Sequence, residues 1–181
     1  DLQILGDHNV ENALAATAIT ICMGVPVEII RNILIGFKGV EHRIEYVDTI
    51  DGVQYYNDSK ATNVDAAIIG IKAMKRPIVL IGGGMDKGAD FTEWIDVFPN
   101  KVKYLILIGE TSDKIIQTAH EKGFFNIKKA SSINEAVILA KEIAVSGDCV
   151  LLSPACASWD MFKSYEERGE MFKQAVYALK G

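Results

Sequence analysis

PIVLIGGGMDKGADFTEWIDVFPNKVKYLILIG spans residues 77–109. Its two apolar runs, 78–81 and 104–108, do not alternate with polar residues, so each predicts a strand covered on both faces. Between them lie a glycine-rich loop and a short segment, 91–98, whose apolar spacing predicts a helix. A strand, a helix and a second continuous apolar strand make a βαβ unit, which requires a parallel sheet.

The same alternation continues on both sides. Downstream, helices are expected at 112–122 and 132–145, a weak strand near 126–130, a strand in CVLLSP at 149–154, and a last helix at 164–179. Upstream, a helix at 63–75 follows two apolar runs, IEYVDTI and VQYYN, joined by Asp51-Gly52, a strong hairpin signal. Two helices open the chain, at 8–23 and at 26–37, where Pro26 is tolerated as a helix start. The expected fold is a three-layer α/β sandwich with a mostly parallel sheet and an antiparallel hairpin strand at one edge, preceded by a short helical pair. A domain boundary is expected near 37–43. Capping boxes are read at Thr62 with Asp65 and at Ser132 with Glu135, with a variant at Asp90 and Glu93.

Composition limits the function. A net charge of −5 argues against broad nucleic-acid binding and against docking on anionic membranes. The three cysteines, Cys22, Cys149 and Cys156, have no metal spacing and suggest reduced thiols in a cytoplasmic setting. The three histidines form no metal motif, and no apolar run is long enough to span a membrane. The chain starts at Asp1 inside a pattern, from which an upstream part of a longer protein is expected.

A parallel sheet collects its ligands at the carboxyl ends of strands, beside helix starts. Three polar loops fall there: 57–63, 82–90 and 153–162. The glycines 82–84 match neither G-x-x-x-x-G-K-[ST] nor G-x-G-x-x-G, so a tight turn competes with a phosphate loop. Asp86 and Lys87 are read as a ligand clamp, against a solvated ion pair of little energetic value. Lys60 suits a phosphate or carboxylate, and Asp58 a ribose hydroxyl or Mg²⁺. A helix cap with an Asx turn explains Thr62 and Asp58 but leaves Lys60 and the two asparagines, Asn57 and Asn63, unused. Arg43 either stabilises phosphate charge or covers a domain junction. Asn9 and Asn12 share a helix face that reads a base edge or caps the helix end. Ser158 lacks a base partner and is read as a binding hydroxyl. The residues alone thus give a nucleotide- or carboxylate-binding α/β domain without a reaction.

Five ordered motifs, HNVENALAA (8–16), EHRIE (41–45), NDSKATN (57–63), GGGMDKGADF (82–91) and SPACASWDMFKSYEERGEMF (153–172), resemble the C-terminal half of the Mur ligases. The likeness is strongest to their D-glutamate-adding branch and covers essentially the whole chain. It implies that residues 1–38 are the helical tail of a central ATPase domain and 39–181 a Rossmann-like C-terminal domain. The P-loop and the metal and carbamylated-lysine region would lie upstream, with an N-terminal UDP-sugar domain. The implied reaction consumes ATP with Mg²⁺ to make an acyl phosphate of UDP-N-acetylmuramoyl-L-alanine, which the D-glutamate amine attacks. By resemblance, Asn9 and Asn12 contact adenine, Asp58 the ribose and Arg43 the γ-phosphate, with Lys60 beside the nucleotide and the incoming amino acid. Arg43 and Lys60 are the implied catalytic pair, and no metal ligand is assigned to this chain. Thr62, Lys87 and Ser158 take the D-glutamate carboxylates, with the Trp159 backbone and the Tyr165 ring alongside and Asp86 orienting Lys87. The family often has Leu or Phe at the position of Trp159 and Phe at that of Tyr165, which implies a pocket of altered shape. The D-N-P-R motif of the diaminopimelate-adding branch is absent. The expected protein is a cytoplasmic monomer whose C-terminal part is inactive alone. The alternatives are an isolated binding module and a sibling amide ligase of the folylpolyglutamate synthase type.

Overall fold

The structure is a computed structural model that describes residues 2–180; Asp1 and Gly181, the outer ends of the two expected divisions, lie outside the described residues. Two helices lead, α1 (Asp7–Cys22) and α2 (Val27–Gly36). Pro26 sits just before α2 rather than in its first turn, with φ −58° and ψ 135°. The hairpin follows as β1 (Glu45–Ile50) and β2 (Val53–Asn57). Asp51 and Gly52 both have positive φ, 52° and 79°, the mirror-image turn that matches strand twist. Then come α3 (Val64–Ala73), β3 (Ile78–Gly82), α4 (Thr92–Asp96), β4 (Val102–Leu107), α5 (Ser112–Glu121), β5 (Ile127–Lys129), α6 (Ile133–Ile143), β6 (Cys149–Leu152) and α7 (Tyr165–Ala178).

The six strands lie in the order β1-β2-β6-β3-β4-β5, with β1 antiparallel and every other pair parallel. The last strand is therefore inserted between β2 and β3. Strict alternation sorts the strand side chains into two cores. Ile78, Leu80, Leu105, Leu107 and Leu151 pack with Ile71, Trp94 and Ile115 from α3, α4 and α5. Val79, Ile81, Ile106, Val150 and Leu152 pack with Val137, Phe172 and Val176 from α6 and α7. Two covered faces explain why these strands carry no polar alternation. Among the described residues, no helix is long and apolar enough to cross a membrane.

The helix starts refine the expected caps. Ser132 caps α6 by accepting from the Glu135 N–H at 3.2 Å, as expected. At α3 the cap is Asn63, one residue beyond the expected Thr62: the Asn63 Oδ1 accepts from the Ala66 N–H at 2.9 Å. Asn63 wins because its extended backbone (φ −145°, ψ 168°) is the geometry from which a side-chain amide reaches back to the first turn. Asp90 forms an Asx turn, accepting both the N–H and the hydroxyl of Thr92, and makes no box with Glu93. Asn63→Ala is expected to destabilise the fold by about 1 kcal/mol, whereas Thr62→Ala should leave it nearly unchanged. Urea unfolding of the two variants checks this; equal losses would return the cap to Thr62.

Candidate functional site

Strand register brings the three polar loops level. Asn57 pairs with Leu152 across β2 and β6, and Leu152 with Ile81 across β6 and β3. Beyond the strands the loops continue to bond one another. The Asp58 N–H donates to the Leu152 carbonyl at 2.8 Å, the Gly83 N–H to Pro154 at 2.9 Å, and the Met85 N–H to Ala157 at 2.9 Å. Gly84 has φ 145°, and a Cβ there would strike the Ala157 carbonyl oxygen, so the tight-turn reading of this glycine holds.

A residue the sequence reading missed locks the arrangement. Arg168 of α7 is fully buried. Its Nε donates to the Ser59 hydroxyl at 3.0 Å, Nη2 to the Ser59 carbonyl at 2.9 Å and Nη1 to the Cys156 carbonyl at 3.1 Å. The Ser59 hydroxyl in turn donates to the Tyr165 carbonyl at 2.7 Å. Burial lowers the Arg168 pKa to about 10, which still leaves it charged at neutral pH. A signal for it existed: Arg168, Phe172 and Val176 stand four apart on one buried stripe of α7.

A second network holds the loop before β1. The Asn57 amide donates to Glu45 at 3.0 Å and lies 2.9 Å from the His42 Nδ1, while its oxygen accepts from the Ser59 N–H. The oxygen is committed as an acceptor, so the amide nitrogen faces His42 and the imidazole Nδ1 accepts. Glu45 also accepts from the His42 N–H. Gly169 of α7 makes room for this junction, since a Cβ there would collide with the His42 ring. His42 and Ile44 have φ of 62° and 46°, left-handed values that are unusual for His and an outlier for β-branched Ile. Between them, Arg43 projects from a strained and over-determined loop, a pattern that concentrates at functional sites.

Asp58 does not reach outward as the ribose reading requires. It is buried, with one carboxylate oxygen accepting from the Ile44 N–H at 3.2 Å and the other from the Ser153 hydroxyl at 2.8 Å. Burial pushes its pKa up to about 7, against the lowering effect of the Ser153 and Ile44 bonds and of Arg43. Asp86 likewise does not orient Lys87. It pairs with Lys114 of α5 at 3.1 Å and accepts from the Gly88 N–H at 2.8 Å. Lys87 instead lies over the Trp159 ring, 4.2 Å from its centroid, and Lys60 over the Tyr165 ring at 5.5 Å. The Thr62 hydroxyl takes no part in the α3 cap. Ser158 is buried, and its carbonyl accepts from the N–H groups of Met161 and Phe162.

Arg43, about thirty residues beyond Asn9 and Asn12, lines with them one cavity of about 890 Å³ between the helical pair and the hairpin edge. Asn9 donates to the Leu5 carbonyl at 2.7 Å and α1 has no side-chain cap bond, so its amide does not take the expected capping role. The size and donors suit a nucleotide. Mg²⁺ is different. Glu41, His42 and Glu170 lie within ligand reach of one another, but Lys173 pairs with both glutamates. Asp58 is likewise engaged, by Ile44 and Ser153. The thiols of Cys149 and Cys156 are pushed up to about 12 and about 11 by burial, which leaves them inert.

The family model for the Mur ligase, glutamate ligase domain, matches residues 42–156. The chain is 54% identical over 180 residues to a UDP-N-acetylmuramoylalanine--D-glutamate ligase of Lachnoclostridium phytofermentans, covering 99% of this chain and 40% of that protein. It is 52% identical to the same-named ligase of Alkaliphilus oremlandii, with the same coverage. The chain thus spans 40% of the length of these relatives. Among solved structures, UDP-N-acetylmuramate-alanine ligase MurC of Thermotoga maritima superposes with a TM-score of 0.70 at 19% identity, over 98% of this chain and 40% of that one. Folylpolyglutamate synthase of Mycobacterium tuberculosis complexed with ADP gives 0.72 at 15% identity, over 96% and 41%. These two likenesses establish the fold.

The Asp58 environment sets a pH dependence. In the folded chain the carboxyl stays protonated up to about pH 7, whereas an unfolded aspartate ionises near about 4. Between those values the folded state holds the extra proton, so stability from this group falls as pH rises from about 4 to about 7 and is level above. Asp58→Asn keeps an oxygen to accept from Ile44, turns its amide NH2 toward the Ser153 oxygen in place of the bond now accepted from that hydroxyl, and has no proton to lose. The wild type is therefore expected to lose Tm relative to Asp58→Asn between pH 5 and pH 8. Parallel Tm profiles for the two proteins would refute the assignment.

Proposed function

The chain belongs to the Mur ligase family, and on that premise we propose that it is the C-terminal part of the ATP-dependent ligase that adds D-glutamate to UDP-N-acetylmuramoyl-L-alanine in peptidoglycan precursor synthesis. In this reading residues 1–38 are the tail of a central ATPase domain and 39–181 the domain that receives the amino acid. What supports it is that Lys60, Thr62, Lys87, Ser158, Trp159 and Tyr165 lie on the segments that follow the carboxyl ends of β2, β3 and β6, at the junction where β6 is inserted. Neither lysine is committed to a carboxylate among the described residues; both ammoniums rest on aromatic rings. Two uncommitted cations and two hydroxyls at one sheet edge suit an acceptor with two carboxylates. The names of the relatives at 52–54% identity favour D-glutamate over a folate-type acceptor.

A carboxylate resists attack by an amine until it is activated. ATP supplies the phosphoryl group that makes the alanyl carboxylate an acyl phosphate, and Mg²⁺ would be held by residues outside this chain. Within the chain, Arg43 brings a permanent charge to the γ-phosphate, where negative charge redistributes during transfer. The cavity lined by Asn9 and Asn12 takes the base. Lys87, Thr62 and Ser158 hold the carboxylates of D-glutamate so that its amine is presented to the acyl carbon, and Lys60 stands between nucleotide and amine. Asp58 acts as an internal latch for the loop that carries Lys60. The full protein acts in the cytoplasm as a monomer.

The decisive assay supplies the full-length ligase with UDP-N-acetylmuramoyl-L-alanine, ATP and a panel of amino acids; phosphate release is expected to depend on D-glutamate, and a preference for another acceptor would overturn the reading. These 181 residues alone, which contain no G-x-x-x-x-G-K-[ST] run, are expected to release no phosphate. Lys87→Ala should raise the D-glutamate KM by roughly ten- to a hundredfold, the size of a lost charge-assisted bond, and leave the ATP KM nearly unchanged. Arg43→Ala should lower kcat by roughly a hundredfold or more; a normal kcat would remove Arg43 from the transition state.

A further inference from the structure

The charged partner expected for Lys87 is absent, and an aromatic one stands in its place. Asp86, its sequence neighbour, is bound to Lys114 and to the loop backbone. The Lys87 ammonium sits 4.2 Å from the centre of the Trp159 ring. Trp159 is 62% exposed, so its ring contributes little to the core. Its backbone is nonetheless well placed: Ala155, with φ 58°, and Ala157, which accepts from Met85, fix the loop just before it. The chain thus spends a large apolar side chain on a lysine rather than on packing.

We propose that Trp159 is a positioning residue that sets the affinity for the side-chain carboxylate of the incoming amino acid, by holding the Lys87 ammonium in place while leaving its charge unspent. The physical distinction is between two ways of ordering a lysine. A carboxylate partner would fix the ammonium but would also neutralise it, and a ligand carboxylate would have to compete for it. An indole face fixes it through the ring quadrupole and carries no net charge. The ammonium stays available for a ligand, and the rotamer entropy of a four-carbon stem is partly lost before binding. Lys60 over Tyr165 repeats the arrangement on the neighbouring loop with a weaker ring and a longer distance. This inference rests on the reading of the Lys87 site as an amino-acid carboxylate site.

The test is a substitution series at Trp159 in the full-length ligase, read as separate kinetic constants. Trp159→Leu should raise the D-glutamate KM by roughly three- to tenfold, the range of a cation–π contact that becomes desolvated when substrate binds. The ATP KM, kcat and Tm should stay within error. Trp159→Phe, which keeps a weaker π face, should restore part of the loss. In a Lys87→Met background, Trp159→Leu should have no further effect on the D-glutamate KM. A D-glutamate KM unchanged in Trp159→Leu overturns the positioning role while leaving the acceptor assignment standing. A loss that tracks Tm, or equal losses with Lys87 absent, overturns it too. A wild-type enzyme that does not use D-glutamate at all overturns both readings together.

Discussion

The buried guanidinium of Arg168 is the constraint on which the site depends. A cation taken fully out of water costs several kcal/mol unless its donors are met. Among the described residues no carboxylate meets them. The Ser59 hydroxyl, the Ser59 carbonyl and the Cys156 carbonyl do so instead, at 2.9–3.1 Å. Neutral acceptors stabilise a buried charge only if they stay in place, so displacing either loop exposes the full penalty. The bond is therefore a geometric requirement more than a source of stability. Through it α7, lying on one face of the sheet, dictates where two loops at its edge must run. The Ser59 hydroxyl extends the requirement to the Tyr165 carbonyl, and so to the ring beneath Lys60.

The polar groups of the site divide by burial. Asn57, Asp58, Ser59, His42 and Arg168 are buried and bonded to the protein. Their bonds leave them no freedom to seek ligands, and each one fixes backbone that carries an outward group. Lys60 and Trp159 are exposed, and the Lys60 and Lys87 ammoniums rest on rings. Inner residues that rigidify and outer residues that keep unspent charge fit a site that must be formed before its ligand arrives.

The strands were readable because burial on both faces leaves a composition signature, and the hairpin because Asp51-Gly52 admits few other conformations. Which loops would converge followed from parallel topology alone. Pairings between side chains did not follow. Asp86 and Lys87 are adjacent in sequence, yet the start of α5 places Lys114 nearer to Asp86, and only packing of that helix decides it. Thr62 and Asn63 are both good caps, and the choice turned on which residue had the extended backbone. Arg168 stands among the charges of the α7 start, Glu166, Glu167 and Glu170, and only its spacing to Phe172 and Val176 places it on the buried stripe. The burial of Asp58 was not legible in the junction itself, because the Ile44 N–H that bonds it arrives from the loop before β1.

The junction 57–63 shows why so much hydrogen-bonding capacity sits between one strand and one helix. Asn57 faces the loop that carries Arg43, Asp58 ties that same loop to β6, and Ser59 faces α7. Asn63 starts α3. Only Lys60 and Thr62 are left for a ligand. The loop that carries Arg43 and the helix start that carries Tyr165 are thus both bonded to this one segment. A displacement at one flank must strain the bonds that set the other, because close-packed and fully bonded segments shift as units rather than residue by residue. If the proposed reaction joins a phosphorylated carboxylate to an amine, one rigid segment between the two proposed sites would keep the separation of the reactants fixed while each binds.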